Sequence, residues 1–278
     1  EQASEWGCRW YRKWRELVND SEVDCIIATL PPVINLEVAE ACALADKPLL
    51  LEKPMAVSGA QALSIHSTFA RRGVGLTIGQ TLRYNRVIQT LRNQLSCIGT
   101  LHSFTANQRL EPATLTWLDD PARAGAGVTF HSAVHVFDAL RVMTGLEIVR
   151  VLAKVRCVQS RHLEDHLVAL VEMENGVVGT VDCSKIGPAR SGGFEFVGDK
   201  GYIWGDQVHN IVERISGHKR QSLPVDDPVN TIVPLLRDWS AFLNGEQPNP
   251  IPGEEGVKAV QVCEACLRSA VKGDWQEV

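Results

Sequence analysis

The chain lacks the features that define several large classes of protein. No apolar run in its 278 residues approaches the roughly 20 residues that a membrane-spanning helix needs. Basic residues are not in excess, because 28 Lys and Arg are outnumbered by 33 Asp and Glu, which gives a formal net charge of −5. This balance argues against a nucleic-acid or membrane partner.

Signatures of disulfide frameworks and metal sites are missing as well. The eight cysteines are scattered, several of them inside apolar segments, as is typical of reduced, buried thiols in a cytoplasmic protein. Cys263 and Cys266 form a single Cys-x-x-Cys within a helical pattern, and no second pair or His-Glu-x-x-His accompanies it. We therefore expect no metal site.

What the chain does contain is an alternation of short apolar strands and amphipathic helices. Strands are predicted over 24–30, 48–51 and 75–79, with helices from Asn35 to Ala45 and from Ser58 to Arg72 between them. Asn35 and Ser58 are the predicted N-caps, and Gly73 ends the second helix. Strand–helix–strand repeats with short turns predict a parallel sheet.

Beyond about residue 99 the pattern changes to closely spaced strands. Glu174-Asn175-Gly176 and the segment 198–201 are turn signals between such strands, which predicts a large, mainly antiparallel sheet in an α+β domain. Helices are predicted over 233–244 and 254–272. The expected division is residues 1–80 and 81–278, with helix 254–272 able to pack back on the first domain.

Two motifs contain the candidate catalytic residues. Glu52-Lys53-Pro54 ends the apolar strand Leu49–Leu51, and ligands gather just beyond the carboxyl ends of buried parallel strands. A surface Lys-Pro turn is the alternative interpretation.

The second motif is the segment 125–138, in which His131, His135 and Asp138 share one face of a regular helix, so that the histidines can touch or share a proton. Ordinary core histidines and, less favoured, a metal site are the alternatives.

These motifs, in this order, resemble the Gfo/Idh/MocA family of NAD(P)-dependent oxidoreductases. The resemblance extends over essentially the whole chain, and the segments that carry it are 24–32, Glu52-Lys53-Pro54, 79–85, 125–145, 196–201 and Glu254-Glu255-Gly256. It implies an α/β fold: an incomplete Rossmann-type parallel-sheet domain, followed by an α+β domain with a large, mainly antiparallel open sheet.

The resemblance also implies roles for individual residues. Lys53 and His135 match the catalytic lysine and histidine, and His131 stands where the family commonly has an aspartate. An imidazole in place of a carboxylate should lower the pKa of His135. The residues implied on the cofactor side are Thr29, Leu30, Pro31, Pro32, Glu52, Lys53 and Pro54. Arg83, Tyr84 and Arg109 are candidate substrate residues, although a structural role for Arg83 and Tyr84 is equally compatible.

One departure from the family pattern is clear. The glycine-rich G-x-G-x-x-G turn that binds the cofactor pyrophosphate occurs nowhere in these residues. By the family pattern we expect about 50–70 residues, two βα units, to precede Glu1. The choice between NAD and NADP is therefore open.

The function that the resemblance implies is hydride transfer between NAD or NADP and a hydroxyl or carbonyl carbon of a sugar, polyol or related small molecule. The alternatives are a non-catalytic cofactor-sensing or scaffolding relative and a reductase of a non-sugar substrate. By the same analogy we expect a cytoplasmic homo-oligomer, a dimer or tetramer.

Overall fold

Two sheets organise the computed structural model, which describes residues 2–278. Within that range, three strands form a parallel sheet and nine strands form a mixed sheet. The first sheet has the order β1 (Ile26–Ala28), β2 (Leu49–Leu51) and β3 (Leu76–Ile78). The strands of the second sheet are β4 (Leu101–Arg109), β5 (Ile148–Arg156), β6 (His166–Met173), β7 (Val178–Ser184), β8 (Gly193–Gly198), β9 (Gly201–Asp206), β10 (Ile211–Ser216), β11 (Lys219–Leu223) and β12 (Gln276–Glu277).

Helices connect and cover these sheets. They are α1 (Gln2–Glu5), α2 (Trp14–Val18), α3 (Asn35–Leu44), α4 (Gly59–Arg72), α5 (Arg86–Gln94), α6 (Pro121–Ala124), α7 (Val134–Thr144), α8 (Ile232–Leu243) and α9 (Gly253–Lys272). A π-helical turn, Thr129–Ala133, leads directly into α7.

The parallel sheet brings three strand ends to one edge. Ala28 pairs in register with Leu51, and Leu51 with Ile78. Since the strands are parallel and their last residues are aligned, Thr29, Glu52 and the residue after Ile78 leave the sheet at the same edge. The predicted βαβ arrangement is confirmed, but β1 is shorter than the expected 24–30 because the chain turns at Thr29.

One of the two predicted helix N-caps is confirmed and the other is wrong. Ser58 is the N-cap of α4, its hydroxyl accepting the N–H of Gln61, and Gly73 ends the helix in the left-handed conformation, as predicted. Asn35 is not a cap: it is the first residue of α3 and is buried, and its amide donates instead to the carbonyls of Pro54 and Met55 at 3.1 and 3.3 Å. Residues 10–20 also have a helical sequence pattern, but only the short helix α2 forms there.

The second sheet is mainly antiparallel, as predicted, with the order β11-β10-β9-β8-β4-β7-β6-β5-β12. The exception is the central pair β4 and β7, which is parallel. Helix α9 packs against α4 and β3 on one side and against β5 on the other, so it joins the two sheets. The domain boundary at residue 80 stays a prediction. No helix in the stretch 2–278 has both the length and the apolar content of a membrane span.

The cap of α4 offers a direct test of this part of the fold. Ser58→Ala should lower the free energy of unfolding by about 1 kcal/mol, because an N–H in the first turn loses its acceptor. Urea denaturation measures the change. Ser64→Ala, in the exposed middle of the same helix, is the control and should be neutral or slightly stabilising. Equal effects of the two substitutions would contradict the cap.

Candidate functional site

Lys53 lies just beyond the buried strand β2 and reaches the second half of the molecule. Its ammonium donates to the carbonyl of His131 at 2.9 Å, across 78 residues of sequence. Within residues 2–278 it forms no ion pair, and the carboxylate of Glu52 accepts the backbone N–H of Lys53 instead. Burial lowers the pKa of Lys53, opposed by Glu52. This placement does not match a surface Lys-Pro turn.

The backbone around Lys53 is held from two sides. Asn35 binds the carbonyls of the two residues that follow Lys53, Pro54 and Met55. Gly79, which follows β3, leaves space for Glu52: a Cβ there would lie 2.6 Å from a Glu52 carboxylate oxygen. Burial raises the pKa of Glu52, opposed by Lys53. These contacts fix where the strand edge presents Lys53.

The histidine motif depends on a close approach between two loops. A Cβ on Gly127 would lie 1.9 Å from the carbonyl oxygen of Glu164, so only glycine fits there. The Glu164 carboxylate accepts the N–H groups of Gly127 and Thr129, and its carbonyl accepts that of Val128. Glu164 thus holds the start of the turn that carries His131.

His131 and His135 do not form the directly bonded pair that a regular helix would allow. His131 belongs to the π-helical turn and His135 to α7, and a π turn changes the angular spacing of side chains. Among the described residues, Nε2 of His131 and Nδ1 of His135 are buried without a hydrogen-bond partner. The ring of Trp117 stands edge-on to His131, with centroids 6.1 Å apart.

Burial favours the neutral form of both histidines. Burial, then Lys185 and Lys53, lower the pKa of His131 to about 3, opposed by a hydrogen bond with the Ala126 backbone. Burial, then Lys53 and Lys185, hold the pKa of His135 well below its ordinary value. The direction agrees with our expectation for His135, but the cause is burial and two lysines rather than the imidazole of His131.

Lys185 is the member of the site that sequence reasoning missed. It follows the last residue of β7, and its backbone N–H donates to the Asp165 carbonyl at 2.8 Å. Its side chain lines a cavity of about 260 Å³ together with His131. The available signal was a lysine just beyond an apolar strand, the same signal that singled out Lys53.

Arg83 and Tyr84 lie elsewhere, in a different cavity from His131. The Arg83 guanidinium binds the fully buried Asp138 at 2.6 and 2.8 Å and also binds Glu255. Tyr84 donates to Asp238 at 2.8 Å. Through these contacts Arg83 joins the 81–84 turn to α7 and α9, and Tyr84 joins it to α8. A substrate role for either residue stays a prediction.

Arg109 is not brought to the histidines either. It is the last residue of β4, its half-exposed guanidinium binds Asp182 on β7, and it lines a different cavity from His131. Within residues 2–278 no group of three or more His, Cys, Asp or Glu side chains is placed to hold a metal ion.

The remaining candidates stand at the edge of the parallel sheet. Thr29, Leu30 and Pro31 follow β1 directly, and Pro32 begins a short 3₁₀ turn that leads into α3. Glu52, Lys53 and Pro54 follow β2 at the same edge. The structure thus brings together Lys53, the two histidines, Lys185 and the loops that end β1 and β2.

Comparison with known proteins gives two family matches. Residues 1–80 match the model of an oxidoreductase family with an NAD-binding Rossmann fold, and residues 90–204 match the GFO/IDH/MocA C-terminal domain. Inositol 2-dehydrogenase 1 of Saccharopolyspora erythraea is 28% identical over 95% of this chain and 79% of that enzyme. Myo-inositol 2-dehydrogenase of Thermotoga maritima is 25% identical over 93% of this chain and 81% of that enzyme.

Among solved structures, levoglucosan dehydrogenase in complex with NADH and levoglucosan superposes with a TM-score of 0.87. The match covers 100% of this chain and 86% of that one at 19% identity. At this identity the likeness shows the shared fold.

The free energy of unfolding of two variants can distinguish the role of Arg83 from that of Arg109. Arg83→Met should lower the free energy of unfolding by about 3–5 kcal/mol, because it leaves the Asp138 carboxylate buried without its partner. Arg109→Met removes an exposed ion pair and should cost less than about 1 kcal/mol. Chemical denaturation of both variants measures this, and similar small effects would refute a structural role for Arg83.

The pKa of Lys185 predicts a pH dependence. Burial, then Lys53, lower it from 10.5 to about 8, opposed by Glu164. Between these values the unfolded chain binds more protons than the folded chain, so this residue makes stability rise with pH. Lys185→Met should therefore be more stable than the parent at pH 7, and the difference should shrink as pH rises from 8 past 10.

Thermal unfolding across that pH range, with the exposed Lys154→Met as control, measures the difference. Parallel curves for the parent and Lys185→Met would refute the lowered pKa.

Proposed function

We propose a reaction for this chain, which belongs to the GFO/IDH/MocA family of NAD-binding oxidoreductases: the oxidation of a hydroxyl, or reduction of a carbonyl, of a sugar or polyol. One observation carries the proposal. The Lys53 ammonium, from the carboxyl edge of the parallel sheet, bonds to the carbonyl of His131, and His131 and His135 each have an unpartnered buried nitrogen. In sheets of this type that edge is where ligands bind. The dehydrogenases of inositol and levoglucosan among the relatives suggest the substrate class.

The described residues fit a nicotinamide cofactor at the reacting end. Nε2 of His131 and Nδ1 of His135 are buried without a partner in the described residues, so each has hydrogen-bonding capacity that a bound ligand can use. The loops after β1 and β2, with the candidates Thr29 to Pro32 and Glu52 to Pro54, would hold the ring. When bound, the nicotinamide supplies or accepts the hydride at the substrate carbon. NAD and NADP both suit these residues.

Lys53 acts on the substrate oxygen. Its ammonium already has one acceptor, the His131 carbonyl, and two N–H groups remain for an oxygen that gains negative charge. A preorganised cation in a partly buried site stabilises such charge strongly. Lys185 nearby adds to this positive field.

His135 moves the hydroxyl proton. Burial, Lys53 and Lys185 hold the pKa of His135 well below its ordinary value, which favours the neutral imidazole, so its unpartnered Nδ1 can accept a hydrogen bond from the substrate hydroxyl. As the substrate oxygen becomes an alkoxide beside two ammonium groups, its proton is released more easily. His131 stands one turn earlier, where the family pattern has an aspartate. It positions His135 or relays its proton.

The proposal also covers the oligomeric state and the cellular location of the protein. Val168, Leu170 and Val178 leave apolar side chains exposed on β6 and β7 of the large sheet, which supports a homodimer or homotetramer. All eight cysteines in the part of the chain described are free, which supports a cytoplasmic protein.

Replacement of His135 tests the mechanism. His135→Ala in the full-length protein should lower turnover by roughly 10²–10⁴-fold, because the proton acceptor is lost, while nicotinamide affinity changes little. Absorbance at the NADH band with a panel of polyols and sugars measures turnover, and fluorescence titration measures NADH binding. His102→Ala, exposed on β4, is the control.

Unchanged turnover would remove His135 from the mechanism. NADH binding by the parent without turnover on any panel member would favour a non-catalytic, cofactor-sensing role instead.

A further inference from the structure

The cavity beside His131 has walls of two kinds. Residues 112–118 contribute mainly apolar side chains, whereas Lys185, His131 and the loop 159–165 contribute polar ones. With a volume of about 260 Å³, it is suited to part or all of a small molecule rather than to a macromolecule. Its polar groups therefore decide which small molecule binds.

The carboxylates on this cavity are already committed to the backbone. Asp119 accepts the N–H groups of residues 161–163, and Asp165 accepts those of residues 158–160. Glu164 accepts the N–H groups of Gly127 and Thr129. Three acidic side chains thus hold loops together and have their negative charge engaged by N–H donors.

The lysine of the cavity, by contrast, has no direct ionic partner. In the part of the chain that the structure describes, neither Lys185 nor the nearby Lys53 forms an ion pair with a carboxylate within 4 Å, and Glu164 and Glu52 only partly oppose the burial that lowers their pKa values. Lys53 binds only a carbonyl, and the adjacent His131 is neutral. Lysines that are not exposed normally have an ionic partner, so an anion is the missing element of this cavity.

We propose that Lys185 selects a substrate that carries a carboxylate, so that the enzyme acts on a sugar acid in preference to a neutral sugar or polyol. This inference rests on the proposed function, since it places the reacting hydroxyl at Lys53 and His135 and the carboxylate at Lys185. A bound carboxylate would pair with the Lys185 ammonium and offset its repulsion with Lys53. A neutral polyol leaves that repulsion in place.

Matched ligand pairs test the proposal, because each sugar acid differs from its alditol only in a terminal carboxylate. The pairs are D-gluconate and D-glucitol, D-galactonate and galactitol, and D-mannonate and D-mannitol. Calorimetric titration of the full-length protein with NADH present compares each pair in four proteins: the parent, Lys185→Met, Lys185→Arg and the exposed control Lys154→Met.

In the parent and in Lys154→Met, at least one carboxylate should bind more tightly than its alditol. Lys185→Met should weaken that carboxylate about 10–100-fold, as expected for the loss of a charged hydrogen bond, and should change the alditol less than about threefold. Lys185→Arg should retain most of the preference, because it retains the charge.

The proposal is overturned if no carboxylate binds more tightly than its partner, or if Lys185→Met weakens acid and alditol alike. It is also overturned if inorganic phosphate displaces the acid at equal concentration, which would mark a general anion site. Turnover keeps the two proposals apart. Oxidation of alditols but not of sugar acids would contradict this inference and leave the proposed function intact. Binding of an acid that depends on Lys185, without any change at the NADH band, would support the carboxylate site and contradict the proposed function.

Discussion

The hydrogen bond from the Lys53 ammonium to the His131 carbonyl is the contact on which the site depends. It joins the edge of the parallel sheet to the turn before α7, two regions 78 residues apart in sequence. Either group alone would be an ordinary end of a strand or helix. Together they place a cation beside two neutral imidazoles in a partly buried space, where electrostatic interactions are stronger than in water.

Charge is arranged in opposite ways at two places in the molecule. One cluster, on α7, α9 and the turns beside them, pairs three cations with four anions: Arg83, Arg141 and Lys258 with Asp138, Glu147, Glu254 and Glu255. At the candidate site, by contrast, Lys53 and Lys185 form no ion pair with a carboxylate of the described residues. Balanced pairs hold elements together, whereas buried cations without partners are expensive and persist where a ligand completes them. The contrast is the basis on which we propose a structural role for Arg83 and a functional role for the two lysines.

Local patterns predicted much of this arrangement, and non-local contacts account for the rest. Ser58 capped its helix because capping depends on neighbours three residues away. Asn35 did not, because tertiary contacts with Pro54 and Met55 outweighed the local preference. Lys53 was found from a strand end, but Lys185 stands at the same kind of position in the other sheet, and only the fold shows that Lys53 bonds to the His131 carbonyl and that Lys185 lines a cavity with His131.

The π-helical turn explains why the histidine spacing was misleading. In a regular helix, residues four apart share a face, and each carbonyl is engaged by the N–H four residues later. Widened turns relax both constraints and are frequent at functional sites. Here His131 lies within the π turn Thr129–Ala133 and His135 in the regular helix α7, and the His131 carbonyl accepts the Lys53 ammonium. The change of helical geometry between the two residues is why four-residue spacing alone did not predict their arrangement: the structure has no hydrogen bond between the imidazoles in the described residues, and one nitrogen of each is left without a partner.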